Sequence, residues 1–285
     1  MTLLQRGSAA ALEASTTVIK PTRGPLPPRL RELWSHRELF AFLVWRDVKV
    51  RYAQTVLGSI WTIFQPLALM GVYTFAFTQI GKLSTPGTPY VLYALSGLAL
   101  WIFVSRGILT GSDSLVANIP LVTKTSCPRL LIPLAAVVSA FVDFLISLVL
   151  FLIFSIAYGR YPTWRFVFVP AFLLAAFALA FGLSLFLSAL NVKYRDVGQA
   201  LPFIVQLWFF LSPVAYVLPT NGVTWKTVVL AVNPLTGLIT GFRWSLLATP
   251  PPHGVLVAAL IFVGVALIVG MLFFSRADRT LADDV

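Results

Sequence analysis

Charge is scarce in this chain. Its 285 residues hold ten Asp and Glu, and charged residues make up 11% of the total, against roughly 25% in a soluble domain. One cysteine, Cys127, excludes an internal disulfide framework. Only two histidines occur, His36 and His253, and the acids within apolar runs reduce to Asp143. No metal-ligand cluster or nucleophile triad is legible from so few groups. A nucleotide-binding P-loop is missing as well: the only Gly-Lys pair, Gly81-Lys82, is followed by Leu83. Any nucleotide energy is therefore expected from another chain. Residues 1–30 lack the continuous apolar core of a secretory signal.

Hydrophobic residues, by contrast, make up 58% of the sequence, and the mean hydropathy is +0.88. A soluble fold would leave many of those runs in water, so the fold class expected is an all-α integral membrane protein. The net charge of +11 could suit a nucleic-acid binder, but its location argues otherwise. Nine of the 21 Lys and Arg lie between Arg6 and Arg51, ahead of any spanning segment. Such clustering fixes an N-terminus in the cytoplasm.

The chain is organised around Trp45 to Pro66, W-R-D-V-K-V-R-Y-A-Q-T-V-L-G-S-I-W-T-I-F-Q-P. Its first half carries Arg46, Asp47, Lys49 and Arg51, while no charge follows Leu57 until Lys82. Trp45, Val48 and Tyr52 share one helical side, and Arg46 and Lys49 another, as an interfacial helix requires. Asp47 and Arg51 are four apart and able to pair. The alternative is a set of basic residues merely flanking a first span. Four regions result: a Pro-rich disordered tail over 1–30, an interfacial amphipathic helix within 31–56, a six-span domain over 57–276, and a tail over 277–285.

The spans are expected near 58–80 (with Pro66 as a candidate kink), 90–111, 131–157, 166–190, 199–218 and 255–275, each close to the roughly 20 residues a bilayer demands. Between the last two, Thr224 to Ala248 is apolar but broken by Asn233-Pro234, Gly237 and Gly241. A re-entrant helical hairpin is preferred there over a seventh span. With six spans, the cytoplasmic pieces hold 15 Lys and Arg and the outer pieces 5, with Arg106 inside the second span. That bias agrees with the positive-inside rule. The protein is thus expected in the cytoplasmic (inner or plasma) membrane with both termini in the cytoplasm.

Arg106 and Asp143 are the charges deepest in spans. A mutual ion pair between spans two and three is one reading. The other makes Arg106, with Arg243 further out, a grip for the diphosphate of a lipid carrier, because a guanidinium fork matches phosphate oxygens. Two cytoplasmic loops stand out: one with Asn118-Ile119-Pro120, Lys124, Cys127-Pro128-Arg129 and Pro133, and a brief one, Asn191 to Asp196 and Val197. Docking onto a partner and a solvated turn both suit the brief one.

The segments Trp45 to Tyr52, Leu57-Gly58, Trp61, Gln65-Pro66, Lys124 to Pro133, N-V-K-Y-R-D-V (Asn191 to Val197), Ser212-Pro213 and Asn233-Pro234 come in an ordered set. Together they resemble the permease subunit of type-2 ABC exporters that move polysaccharides such as O-antigen, capsule, teichoic acid or galactan as lipid-linked glycans. The resemblance covers roughly 33–275. Cys127 departs from it, since the family usually has an aromatic before that proline. The resemblance implies a homodimer with two cytoplasmic ABC ATPase subunits, ATP and magnesium being held by those partners and no cofactor by this chain. It implies ATPase coupling through Arg46, Asp47, Lys49, Arg51, Asn118, Lys124, Pro128, Arg129, Tyr194, Arg195 and Asp196. It also places spans one and five and the re-entrant segment at the dimer axis.

Sugar rings stack their C–H faces on aromatic rings, and the chain has 23 Phe, 8 Trp and 8 Tyr. The transport path is therefore expected to use Trp61, Phe64, Tyr73, Trp208, Phe209, Tyr216, Asn233 and Pro234, although lipid contact is the ordinary role of such residues. Three other readings stay open. A type-2 ABC permease for a drug or another lipid shares these features. An ion-driven secondary transporter would show similar halves, and the re-entrant segment has no counterpart in the first half. A membrane enzyme on lipid-linked sugars would show polar residues converging on one face.

Overall fold

The computed structural model describes residues 34–53, 60–80, 87–124, 127–217, 230, 232–251 and 253–278, and within them every regular element is helical. The expected tail over 1–30, Leu57-Gly58, Lys82, Lys226, Arg279 and the side chains of Tyr52 and Lys124 lie outside that description.

Ten α-helices are described: α1 Arg37–Ala53, α2 Ile60–Thr74, α3 Tyr90–Ala117, α4 Ile119–Lys124, α5 Leu131–Ser139, α6 Phe141–Ala157, α7 Val169–Lys193, α8 Asp196–Phe210, α9 Pro234–Leu247 and α10 His253–Ala277. A π-helical turn, Phe75–Ile80, extends α2, and a 3-10 turn, Trp164–Phe168, opens α7. Five helical stretches are long and apolar enough to cross a bilayer: Ile60–Thr78, Tyr90–Ala117, Leu131–Ala157, Trp164–Lys193 and Gly254–Ala277. The chain is an all-helical, multi-pass membrane protein.

The centre is α3, buried over 83% of its apolar window, whereas the window in Ile60–Thr78 is only 6% buried. Around α3 pack α5, α6, α7 and α9, and α10 closes on α7. Small residues permit the closest approaches. Gly107 and Gly111 of α3 face Ala180 and Ser184 of α7, and the Ser184 hydroxyl donates to the Gly107 carbonyl at 3.0 Å. In hydrocarbon, where burial of apolar surface drives little association, such close backbone contact is what holds helices together.

The expected fifth span, 199–218, is corrected in form. Its helix α8 is 15 residues long and ends at Phe210, with turns through 211–214. Pro213 supplies no N–H and disfavours helical backbone at Ser212. The segment nonetheless runs the length of α3. Gly198 sits against Asn191 and Asp113 at one end, and the Ala215 carbonyl accepts from the Tyr90 hydroxyl at 2.5 Å at the other. Other boundaries shift outward: the second span reaches Ala117, and the fourth reaches Lys193. The third is interrupted at Ala140, whose N–H bonds three residues back to Val137.

The ascending half of the expected re-entrant segment is α9, whose 14 residues are too few to cross. It starts beside Trp208, which meets Trp101, about 16 Å along α3 from Tyr90. It rises until Trp244 packs on Phe168 and Arg165. Asn233 caps it by accepting from the Leu235 N–H at 3.0 Å, and Pro234 takes the first helical position, where no N–H is needed. The descending half lies mostly outside the described residues.

The surface helix α1 docks along α5 through Leu43, which is buried, while Trp34, Phe42 and Trp45 stay exposed. Leu39 to Trp45 is an unbroken apolar run, and a helix with apolar residues on both its buried and its exposed side accounts for it.

Candidate functional site: an aromatic and polar face along the central helix

At the Lys193 end of the bundle, one buried amide ties the expected coupling loops to α3. Asn191 donates through Nδ2 to Asp113 Oδ1 at 3.0 Å and to the Ser112 carbonyl at 3.3 Å. Its Oδ1 accepts from the Gly198 N–H at 2.9 Å. The amide thus joins the last turn of α7, the first turn of α8 and the last turns of α3. Asn118 ends α3 by donating to the Ser114 carbonyl at 2.7 Å. Between α7 and α8 only Tyr194 and Arg195 are non-helical. Tyr194, Arg195 and Asp196 are all exposed, and the Lys193 ammonium lies 5.4 Å from the Tyr194 ring centroid. Asp196 begins α8, where the helix dipole favours an acid.

Other expected coupling residues are engaged within the chain. Asp47 pairs with Arg46 at 2.8 Å rather than with Arg51, which corrects the i, i+4 expectation. Lys49 is exposed, Pro128 is half-buried, and Arg129 donates to the Asp278 carbonyl at 2.7 Å and carboxylate at 3.1 Å. The first loop is thereby clamped to the end of α10.

Arg51 turns inward. It donates to Asp143 Oδ2 at 2.6 Å and to Ser139 Oγ at 3.2 Å, bolting α1 to α5 and α6. The expected Arg106–Asp143 ion pair is therefore corrected: the ion pair shown for Asp143 is with Arg51, and Arg106 donates to Gln65 Oε1 at 2.8 Å. The sequence places Arg51 before the first span, so its reach to Asp143, midway along the Leu131–Ala157 span, was not legible. Removing one partner of such a pair strands the other. Arg51→Met should cost roughly 3–5 kcal/mol. Arg51→Met with Asp143→Leu should recover most of it, read as thermal melting of the detergent-purified protein.

Arg243 is also corrected. The sequence reading counted it among the outer residues, within the expected re-entrant segment and as part of a phosphate grip, whereas it is 2% exposed and its donors are used within the chain. Its guanidinium donates to the Tyr93 carbonyl (3.1 Å from Nη2), the Pro213 carbonyl (2.6 Å) and the Val214 carbonyl, and lies 3.6 Å from the Tyr93 ring centroid. The Tyr93 hydroxyl donates to the Tyr216 carbonyl at 3.1 Å. Arg243 is thus the core of the turn after α8.

Along α3, between α2 and α8, aromatic rings form a continuous face. Tyr73 stacks on Phe209 at 5.5 Å, and Trp101 meets Phe209 at 5.3 Å and Trp208 at 6.5 Å. Phe77 stacks on Tyr90 at 6.0 Å. Trp61 and Phe64, 5.4 Å apart, remain more than half exposed, as does Phe210. Tyr73, Trp208 and Phe209 therefore belong to one surface, joined through Trp101, whereas the ring contact shown for Trp61 and Phe64, near the start of α2, is with each other. Asn233 and Pro234 serve a different end. Pro234 is buried, and Asn233 accepts from the Trp208 ring N–H at 3.0 Å while donating to Leu211 and Ser212, each at 2.9 Å. Trp101, Tyr90, Tyr93, Gln65, Asp113 and Asn191 all belong to the site. Of these, sequence reasoning singled out only Asn191 and Gln65, and those only as motif members. Nothing local marks the others, because their partners are tens of residues away.

The family model described as "ABC-2 type transporter" matches residues 38–247. The "O-antigen export system permease protein RfbA" of Myxococcus xanthus is 32% identical over 253 residues, covering 88% of this chain and 96% of that protein. Two proteins of the same name from Klebsiella pneumoniae are 26% and 27% identical, each covering 86% of this chain and 94% of the relative. A match spanning α1 to α9, with a relative aligned almost end to end, shows that this chain belongs to the ABC-2 type transporter family.

Proposed function

We propose that this chain is the membrane-spanning permease subunit of an ATP-driven exporter of a lipid-linked polysaccharide. It works as a homodimer with two cytoplasmic ABC ATPase subunits in the cytoplasmic membrane. The observation that carries the reading is the nearly end-to-end similarity to permeases named for O-antigen export. Membership of the ABC-2 family implies an ATPase partner, and ATP with magnesium belongs to that subunit. The Lys193 end carries most of the positive charge and is assigned to the cytoplasm, along with both termini.

Exposed Tyr194, Arg195 and Asp196 offer the partner a charged elbow, and Asn191 passes its movement to α3. The uncovered faces of α2 and α8 lie on either side of α3 and bound the path, with the second copy opposite. Aromatic rings there suit sugar C–H faces. Asn191→Leu should keep the complex assembled and hydrolysing ATP while lowering glycan export at least tenfold, read as transport per ATP hydrolysed. An unchanged ratio would contradict the role given to the buried amide.

Deleting this chain from its host tests the function itself. Surface glycan should disappear, and its lipid-linked form should accumulate on the cytoplasmic side. Normal surface glycan with new sensitivity to amphiphilic drugs would point to the drug-exporting alternative instead.

A further inference from the structure

Three arginines lie within the bundle, and two are fully accounted for. Arg51 has a carboxylate, and Arg243 has a shell of carbonyls. Arg106 has neither. It sits eleven residues from the end of α3, half-buried, and among the described residues its guanidinium makes one hydrogen bond, to the neutral Gln65 amide. A guanidinium carries five N–H donors, so most of its donors face elsewhere. An arginine at that depth is costly, by about 2.5 kcal/mol or more, and usually answers to a function.

Gln65 sharpens the chemistry. Its carbonyl oxygen accepts from Arg106, which leaves the amide NH2 pointing away with two further donors. The pair together presents N–H donors and a positive charge, and its one side-chain acceptor, the Gln65 oxygen, is turned to Arg106. That is a description of an anion site. One helical turn away, on the side of Gln65 toward the start of α2, Trp61 is 52% exposed. That is about 6 Å along the axis, roughly one sugar ring from a bound phosphate.

We propose that Arg106 and Gln65 form an intramembrane anion site for the phosphate groups of a lipid-linked substrate, with Trp61 receiving the adjoining sugar. This rests on the export reading above and names the chemical group that the path grips. The shared chemistry is a phosphoric ester or anhydride on a hydrocarbon tail. A polyprenyl diphosphate and an ordinary anionic phospholipid are its two possible sources.

The test uses the complex with its ATPase subunit in phosphatidylcholine nanodiscs, measuring binding of radiolabelled polyprenyl diphosphate by scintillation proximity. Saturable binding displaced by unlabelled polyprenyl diphosphate, and not by polyprenol, is expected. Competition by phosphatidylglycerol at equal concentration would assign the site to phospholipid phosphate, and absence of competition to the diphosphate carrier. Arg106→Gln should weaken binding at least tenfold. Gln65→Glu is the decisive variant, because it supplies Arg106 with an internal carboxylate. It should melt no lower than the parent yet bind at least tenfold more weakly. Unchanged affinity in both variants, or equal binding of polyprenol, would overturn the site. A parent complex that binds the diphosphate but exports no glycan would overturn the export reading and leave the site standing.

Discussion

Arg243→Leu should leave little folded protein in the membrane. The side chain is 2% exposed and reaches the carbonyls of Tyr93, Pro213 and Val214 together. Leucine fills part of the volume but offers no donor. Several buried carbonyls then lose their partner at about 1–3 kcal/mol each. The turn 211–216 has no regular hydrogen-bond ladder to fall back on, so the total should reach several kcal/mol. Arg243→Lys should recover only part, since one ammonium cannot span the same carbonyls in a plane or stack on Tyr93 as a guanidinium does. Size-exclusion profiles and melting of the purified variants read this directly. A monodisperse Arg243→Leu protein melting within a few degrees of the parent would show that the turn is held by something else.

Gly270→Leu should be nearly as damaging, for a steric reason. A Cβ at Gly270 would stand 2.8 Å from the Gly182 carbonyl carbon and 3.1 Å from its Cα, and one at Gly182 would stand 2.7 Å from the Leu267 Cα. The obstacle on both sides is backbone, so no rotamer change relieves it. The helices α7 and α10 must separate, at roughly 1–3 kcal/mol for even modest overpacking and with loss of the close contact that binds them in lipid. Gly264→Ala on the same helix meets nothing within 4 Å and should be neutral. Equal behaviour of the two variants would contradict the packing described.

These two residues mark where sequence reasoning stopped. The all-helical membrane fold was legible, because runs of some 20 apolar residues have few other solutions and the basic residues sort to one side. The short exposed elbow at Tyr194 to Asp196 was legible as a break as well, since Asn191 to Val197 is a brief charged interruption between two long apolar runs. The pairings were not. Arg106 and Asp143 are visible as costly charges, but which charge meets which depends on helix rotation and depth, and Arg51 and Arg243 did not stand out as buried at all. The partners turned out to be 92 residues apart for Arg51 and Asp143, and 41 for Arg106 and Gln65. Arg243 was counted with the outer residues although the re-entrant segment that carries it was expected, because the sequence does not show which face of α9 turns into the bundle. The end of α8 at Phe210 was missed for a related reason: residues 211–217 stay apolar enough to read as helix, and Pro213 alone does not say where a helix stops.

The central claim is that this chain moves a lipid-linked glycan only when a separate ATPase drives it through the Tyr194 elbow. The direct measurement is transfer of a fluorescent lipid-linked oligosaccharide across proteoliposomes holding this chain and its ATPase subunit. ATP should drive transfer, this chain alone should give none, and Arg195→Ala with Asp196→Ala should reduce it at least tenfold. Transfer by this chain without the ATPase, powered by a proton or sodium gradient, would contradict the account.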